Sequence, residues 1–280
     1  MTHGDMVAAV HRGLLLGPSP LLRHQPGGRR VEREGMVFTC WGSAGPALNK
    51  VAVVGPAPPL PRILELAAAF YCPEDRGFGV VVQAKAWHPV ETELRAAGWQ
   101  VFEDEPALLL PAIPPPAPLP AGLEVRRVRD IAGRNDLAHV FAAGFGAPTA
   151  EGGVELAPDA FDAFAPSLAC ALDPDAALIV GYVDGAPVVT AVLFIVGSIA
   201  GITGVATVPA ARRRGLATAL TWAALAEGAA RGCRCATLAA LGASYDLYRK
   251  MGFLHVCNHR AYAHPSMLSA FEEIPNRDAP

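Results

Sequence analysis

The chain has 280 residues, of which 52% are hydrophobic and 18% are charged, and its formal net charge at pH 7 is −3. This composition excludes a disordered polyelectrolyte and leaves ample apolar material for a buried core. The nearly balanced charge gives the chain no overall attraction to nucleic acid or to an anionic membrane, and the length predicts about two domains.

The start of the chain and the cysteines indicate a cytoplasmic protein. Asp5, His11 and Arg12 interrupt the apolar residues near the N-terminus, which argues against an export signal. None of the six cysteines forms a C-x-x-C pair, a pattern that favours reduced thiols over a zinc site or disulfides. We therefore expect no metal site.

A proline-rich segment divides the chain near its middle. Six of the ten residues 111–120 are proline, and such a segment can form neither a helix nor a central strand. We therefore predict an N-terminal domain at 1–110, a linker at 111–121 and a C-terminal domain at 122–280.

The second half predicts a mixed α/β unit, because apolar alternation and helical periodicity take turns along it. In chain order the predicted elements are a strand at 123–128, a helix from Asp130 to about 145, a helical stretch at 158–172, strands at 177–183, 188–196 and 199–208, a helix at about 215–230, a strand at 235–241, a short helix at 245–251 and a strand at 253–263.

One apolar run raises the alternative of an integral membrane protein spanning 186–208. The segment from Ala186 to Ala211 carries no charge and is long enough to span a bilayer. However, it is rich in β-branched residues, it is interrupted by glycines, and Pro187 and Pro209 stand near its ends. These features favour two buried strands that turn near Gly197.

The junction between the strand at 199–208 and the following helix is typical of an anion site. A loop with three arginines lies between Pro209 and Gly215. The first backbone N–H groups of the helix are unpaired at the positive end of its dipole, where they can bind phosphate. The pattern Arg212-x-x-Gly215-x-Ala217 is weak alone, and a solvated arginine turn before an ordinary core helix is the alternative.

Two ordered motifs resemble those of the GNAT superfamily of N-acetyltransferases. Val208 and Pro209 through Ala217 match that family's coenzyme loop, with its Arg/Gln-x-x-Gly-x-Gly/Ala core, and Ala243 to Phe253 is similar to its closing motif. The resemblance covers about 122–264. It implies an α/β (α+β) fold of mixed sheets flanked by helices, and it implies acetyl-CoA as the acyl donor.

The resemblance also implies roles for particular residues. The phenol of Tyr248 would face the thioester sulfur and supply a proton or hydrogen bond to the leaving thiolate, although Tyr248 can also be read as a core aromatic. Ser244 is a weaker catalytic candidate, because it can instead cap the helix. Backbone groups for the pantetheine arm would come from Ala206, Thr207 and Val208. Pyrophosphate contacts would come from Arg212, Arg213, Arg214, Gly215, Leu216, Ala217 and Thr218.

The general base is not identified. Many family members carry a Glu on the strand before the coenzyme loop, but Ile199–Val205 contains none. Water relayed to a backbone carbonyl is one alternative. An acid from a substrate-facing loop predicted at 144–160, or from the helical region after it, is another, and the candidates are Glu151, Glu155, Asp159 and Asp162.

The first half echoes the second at a constant separation of 154 residues. Leu94 to Val101 resembles Tyr248 to His255, and Lys50 to Val54 aligns with Gly204 to Val208. This predicts a tandem architecture with a degenerate GNAT-like first copy and an intact second copy. Proline at 56, 58, 59 and 61 removes N–H donors from the first copy's loop, so we expect it to bind no coenzyme.

The predicted function is transfer of an acetyl group from acetyl-CoA to an amine of a small molecule or peptide, by direct attack. A non-catalytic acyl-CoA-binding sensor or interaction module is the alternative. Nucleic acid is not an expected partner, because the three adjacent arginines lack interleaved aromatic residues. The acceptor, the acyl-chain preference and the choice between monomer and homodimer are not determined by the sequence.

Overall fold

The structure is a computed structural model in which two compact units can be distinguished. It describes residues 1–42, 48–56, 58–74, 76–83, 88–116, 118–145, 147–148, 154–155, 166–240 and 242–268. Unit 1 comprises 1–24 and 108–256, and unit 2 comprises 25–107 and 257–280. These units differ from the domains expected at 1–110 and 122–280, because residues 1–24 group with the second half and residues 257–268 group with the first half.

Helices occur in both units. The α-helices are α1 (His3–His11), α2 (Ser19–His24), α3 (Leu60–Tyr71), α4 (His88–Ala96), α5 (Ile131–Phe145), α6 (Leu168–Ala171), α7 (Leu216–Ala230), α8 (Ala243–Lys250) and α9 (Pro265–Leu268). A π-helical turn spans Arg12–Leu16, and 3-10 turns span Cys72–Glu74 and Pro209–Ala211.

The strands alternate with these helices along the chain. They are β1 (Gly28–Arg33), β2 (Met36–Trp41), β3 (Lys50–Val53), β4 (Gly79–Gln83), β5 (Gln100–Leu110), β6 (Leu123–Arg127), β7 (Ala147–Pro148), β8 (Val154–Glu155), β9 (Ala176–Val183), β10 (Ala186–Val196), β11 (Ile199–Thr207), β12 (Cys235–Ala239) and β13 (Leu254–Ala263).

Unit 1 is built on a mixed sheet in which the order β12-β11-β10-β9-β6 is hydrogen-bonded. The pairs of β6 with β9, β9 with β10 and β10 with β11 are antiparallel, whereas β11 and β12 are parallel. Asp184 and Gly185 turn β9 into β10 with φ angles of 51° and 78°, as a tight hairpin requires. The uncharged run at 186–211 therefore forms two strands, as expected. Among the described residues, no helix has both the length and the apolar character needed to cross a membrane.

The two faces of this sheet pack against different helices, because neighbouring strand residues point to opposite sides. Leu216, Leu220 and Leu225 of α7 belong to a core with alternate residues of β9–β12. Leu137 and Phe141 of α5 belong to a second core with the intervening residues, such as those of β9 and β10.

The N-terminal segment, residues 3–24, belongs to unit 1 and approaches its sheet at backbone distance. A Cβ on Gly13 would lie 1.9 Å from Thr237 Oγ1, and a Cβ on Gly201 would lie 2.9 Å from the Gly13 carbonyl oxygen. At the end of α2, Arg23 and His24 each contact a carboxylate oxygen of the buried Asp173 at 2.9 Å. The segment thus covers part of the sheet face that is opposite α7, next to the part that α5 covers.

Unit 2 also contains a mixed sheet flanked by helices. The strand order β1-β2-β3-β4-β13 combines antiparallel pairs with one parallel pair, β3 with β4. Its core includes residues of α3, α4 and the sheet, and it also contains Tyr262 of β13, which is 0% exposed. The predicted α/β class with mixed sheets and flanking helices is therefore confirmed.

Most predicted elements of the second half agree with the structure. Of the helical stretch predicted at 158–172, the described residues contain α6, which ends before Leu172, and 156–165 lie outside the described part. The strand predicted at 235–241 ends at Ala239, and Leu241 also lies outside it. Asp130 accepts a hydrogen bond from the Gly133 N–H at the start of α5, as a cap should.

Candidate functional site

The ladder between the two parallel strands of unit 1 ends early, and the unpaired stretch beyond it is called the gap below. β11 and β12 pair only where Ile199–Gly201 faces Cys235–Thr237. β11 continues to Thr207, so six of its residues extend past the last pair. At a rise of about 3.3 Å per residue, this is about 20 Å of strand whose edge toward β12 has no ladder. Backbone N–H and C=O groups along such an edge are available to an extended ligand.

A β-bulge shapes the same part of β11. Thr190 pairs with Ala206 and Val192 pairs with Thr203, so Gly204 and Val205 stand opposite a single residue of β10. Gly204 adopts φ 58°, and a Cβ there would lie 2.8 Å from the ring of Phe141. A bulge redirects the residues that follow it. The residues predicted to face the pantetheine arm, Ala206 and Thr207, lie directly after this bulge.

The loop that joins β11 to α7 has the geometry of an anion site. Gly215 is the N-cap of α7 with φ 76°, and no side chain caps the helix. The Ala219 N–H bonds the Gly215 carbonyl, so the N–H groups of Leu216, Ala217 and Thr218 precede the first intrahelical donor. They lie at the positive end of the helix dipole. A Cβ on Gly215 would have no neighbour within 4 Å, so there is open space beside the N-cap of α7.

The three loop arginines differ in their surroundings. The guanidinium of Arg212 donates to the carbonyl oxygens of Thr207 and Gly144. Arg213 adopts a left-handed backbone with φ 64°, and both Arg213 and Arg214 are exposed. The sequence predicted phosphate contacts from all three, whereas the structure directs the Arg212 side chain to backbone carbonyls.

Tyr248 is positioned by α8 and is buried in unit 1, with 6% of its surface exposed. Burial raises the pKa of Tyr248 to about 12, and a hydrogen bond with Thr221 acts in the opposite direction. Thr221 lies on α7 and donates to the Ala217 carbonyl at 2.8 Å. The Tyr248 hydroxyl therefore lies beside the helix whose first turn leaves the N–H groups of the candidate anion site unpaired.

Thr221 was not identified from the sequence. The only signal is one polar residue among the apolar residues on the buried side of the helix. Such a residue more often serves packing than function. Thr221 lies one turn after Ala217, and its contact with the Tyr248 hydroxyl of α8 is visible only in the folded structure.

The remaining candidates are less well defined. Ser244 lies in the first turn of α8, but the N-cap is Gly242 and no side chain caps the helix, so the alternative that Ser244 is a cap is wrong. Glu155 lies in β8, and its side chain is not described. Glu151, Asp159 and Asp162 lie outside the described residues. Within the described residues, no cluster of His, Cys, Asp and Glu is suited to a metal ion.

Unit 2 has a corresponding strand–loop–helix junction without a free anion site. The backbone N–H of Leu60, at the start of α3, donates to Glu93 Oε2 at 3.0 Å. Pro59 is the N-cap and Pro61 lies in the first turn, so neither contributes an N–H. A carboxylate of the protein thus occupies the place where unit 1 leaves unpaired donors.

Sequence and structure comparisons indicate the family. Residues 145–253 match the model described as the Acetyltransferase (GNAT) family. No curated protein matches the chain significantly in sequence. The match covers 109 of the 280 residues, so this part of the chain is similar to the GNAT family, whose fold supports acyl transfer.

Solved structures resemble nearly the whole chain. A GCN5-related N-acetyltransferase from Kribbella flavida has a TM-score of 0.67 at 20% identity, over 93% of this chain and 96% of that one. A GCN5-related N-acetyltransferase from Sphaerobacter thermophilus has a TM-score of 0.56 at 14% identity, over 94% and 93%. A tandem GNAT protein from the clavulanic acid biosynthesis pathway also has 0.56, at 13% identity, over 93% and 94%. At these identities the likeness shows the fold.

Proposed function

We propose that this protein is an acetyl-CoA-dependent N-acetyltransferase whose active site lies in unit 1. The observation that carries the proposal is the gap between β11 and β12, which leads directly to the unpaired N–H groups at the start of α7. An extended amide-containing arm fits the strand edge, and a pyrophosphate fits the helix N-terminus. The backbone of Ala206 to Val208 would hold the arm, and that of Arg213 to Thr218 the pyrophosphate.

The reaction proposed is direct acyl transfer to an amine of a small molecule or peptide. The amine nitrogen attacks the thioester carbonyl, a C–N bond forms, and the C–S bond breaks. The Tyr248 hydroxyl donates a proton or hydrogen bond to the departing sulfur, because a phenol with a pKa of about 12 is protonated at neutral pH. The proton of the amine passes to a base that is not assigned.

The second candidate function is a non-catalytic acyl-CoA-binding module. One observation favours it: β11 carries no acidic residue before the coenzyme loop. The same gap and loop serve both functions, so coenzyme binding alone does not distinguish them, whereas turnover does.

We assign coenzyme binding to unit 1 alone. In unit 2 the carboxylate of Glu93 accepts from the Leu60 N–H, and the prolines at 59 and 61 remove further donors. These features support the interpretation of the first half as a degenerate copy that binds no coenzyme.

Calorimetric titration with acetyl-CoA tests the proposal, with Gly215→Glu as the disrupting variant. A side chain at Gly215 would project into open space, and a carboxylate there would repel the pyrophosphate and deny it close approach. We expect micromolar binding to the native protein and at least a hundredfold loss in Gly215→Glu, about 3 kcal/mol.

Gly232→Glu is the matched control, because Gly232 lies just past the other end of α7, has φ 88° and also has open space around it. The Gly232→Glu variant introduces a similar backbone strain and the same charge, and it should bind acetyl-CoA with native affinity. If neither variant alters affinity, or if the native protein does not bind, the coenzyme site is not at this loop.

A further inference from the structure

The guanidinium of Arg212 is held by two carbonyl oxygens from different elements. Arg212 Nε donates to the Thr207 oxygen at 3.2 Å, and a terminal nitrogen donates to the Gly144 oxygen at 3.1 Å. Thr207 is the last residue of β11, and Gly144 lies in the last turn of α5. The last carbonyls of a helix have no intrahelical donor, and a cation there is favoured by the helix dipole.

The end of α5 lies directly on the bulged part of β11. A Cβ on Gly144 would lie 2.8 Å from the Cβ of Ala206 and 3.4 Å from the Thr207 nitrogen. The absence of a side chain at Gly144 therefore allows the helix to reach the strand. Arg212 thus joins the start of the coenzyme loop to the strand end and to the helix that covers it.

Arg213 and Arg214 differ from Arg212 in this respect. All three arginines are exposed, but within the described part of the chain the side chains of Arg213 and Arg214 form no hydrogen bond or ion pair with the protein. Their guanidinium groups are therefore available to an anion, whereas the Arg212 guanidinium already has two acceptors.

We propose that Arg212 is a positioning residue, which acts on coenzyme binding by fixing β11, the loop and α5 through the Thr207 and Gly144 carbonyls. Arg213 and Arg214 supply the cationic side chains for the phosphates. This inference rests on the proposed function, but the link between Arg212 and α5 exists in the protein without coenzyme and can be tested there.

The first test is hydrogen exchange of the coenzyme-free protein over residues 138–145, the end of α5. Arg212→Ala removes the Gly144 contact, so the last turn of α5 should exchange severalfold faster than in the native protein. Arg213→Ala removes an equal charge from the same loop and should leave this exchange unchanged. Equal exchange in the native protein and Arg212→Ala would overturn the proposal.

The second test is the acetyl-CoA dissociation constant of Arg212→Ala and Arg212→Gln. The Gln amide nitrogen stands as many bonds from the backbone as Arg Nε, so it can keep the Thr207 hydrogen bond without a positive charge. Arg212→Gln loses the Gly144 contact and keeps the Thr207 contact, so we expect a partial loss of affinity of about threefold, against about tenfold for Arg212→Ala.

If Arg212 instead contacts the phosphate directly, the dissociation constants of the two variants should follow a different pattern. Arg212→Gln would then bind as weakly as Arg212→Ala, and the loss would shrink at high salt because exposed charges are screened. That result would overturn the positioning role. If the native protein binds no acetyl-CoA, the proposed function fails, and the exchange experiment still decides whether Arg212 anchors α5.

Discussion

The hydroxyl of Tyr248 is kept neutral by the packing around it. Burial raises its pKa to about 12, above the ordinary value of about 10. Because the folded-state pKa is the higher one, the associated stability is fully present below about pH 10 and is lost as pH rises through about 12. The phenol is therefore protonated throughout the neutral range, as the proposed role requires.

Tyr248→Phe should lower turnover about a hundredfold and leave the acetyl-CoA dissociation constant unchanged, because it removes the proposed donor to the leaving sulfur but keeps the packed ring. Steady-state kinetics with an amine acceptor and calorimetry measure the two quantities. The rate of the native protein should show no alkaline limb from this group below about pH 10.

Tyr245→Phe is the matched control on the same helix. The Tyr245 hydroxyl lies 3.3 Å from His255 Nδ1, so the substitution also removes one hydroxyl but should retain native turnover. An equal loss of turnover in both variants would argue against a specific role for Tyr248. Full turnover in Tyr248→Phe would assign the proton to another group.

At the scale of elements, the N-terminal segment depends on glycine for its contact with the sheet. Gly13 lies against Thr237 and Gly201, and a Cβ on Gly17 would lie 2.2 Å from the Gly13 carbonyl oxygen. Gly13 therefore contacts Gly201 and Thr237, which form the last pair of the ladder between β11 and β12. The π-helical turn at Arg12–Leu16 therefore covers the closed end of the gap on the side of the sheet away from α7.

Gly13→Ala should destabilise unit 1 by about 1–3 kcal/mol, because the new methyl group collides with the buried Thr237 side chain. Gly4→Ala is the control, since Gly4 is exposed in α1 and a Cβ there has its nearest neighbour at 3.8 Å. Gly4→Ala should stabilise by about 0.5–1 kcal/mol. Denaturant unfolding measures both changes, and a shift of the same sign in the two variants would contradict this account of the contact.

The elements that could be predicted from the sequence are those with a strong local signal. The apolar strands β9, β10 and β11 and the alanine-rich α7 were placed within a few residues, because their composition and their Gly or Pro ends fix their type. The turn between β11 and α7 follows from its arginines and Gly215, which is the N-cap of α7. Of the helical stretch expected at 158–172, the described residues include the helix Leu168–Ala171, and 158–165 lie outside the described part.

Features that depend on distant partners could not be predicted. The packing of Gly13 on Thr237 joins residues far apart in the chain, and the three-arginine loop gives no sign that Arg212 donates to Gly144, 68 residues away. Glu93 is an ordinary exposed acid on α4 until its contact with the start of α3 is seen. Such long-range hydrogen bonds leave no periodic pattern in the sequence.

At the scale of the whole molecule, unit 2 is assembled from two segments that are far apart in the sequence, 25–107 and 257–280. β13 pairs with β4 between His259–Tyr262 and Val80–Gln83. Tyr262 is fully buried in the core of unit 2, and its hydroxyl donates to Glu91 of α4. Arg260 of β13 also donates to Glu91, at 2.8 Å. The core of unit 2 therefore closes only when residues after 256 are present.

Truncation after Val256 should destabilise unit 2 by at least about 3–5 kcal/mol, because it removes a strand and a buried aromatic side chain. Trp99 reports on this core, since it is 7% exposed and its ring lies 5.9 Å from that of His264. We expect its fluorescence maximum to shift to longer wavelength and the denaturant midpoint to fall. Truncation after Leu268 keeps β13 and should leave both readouts native. If the two truncated proteins unfold alike, β13 does not stabilise unit 2 as the structure indicates.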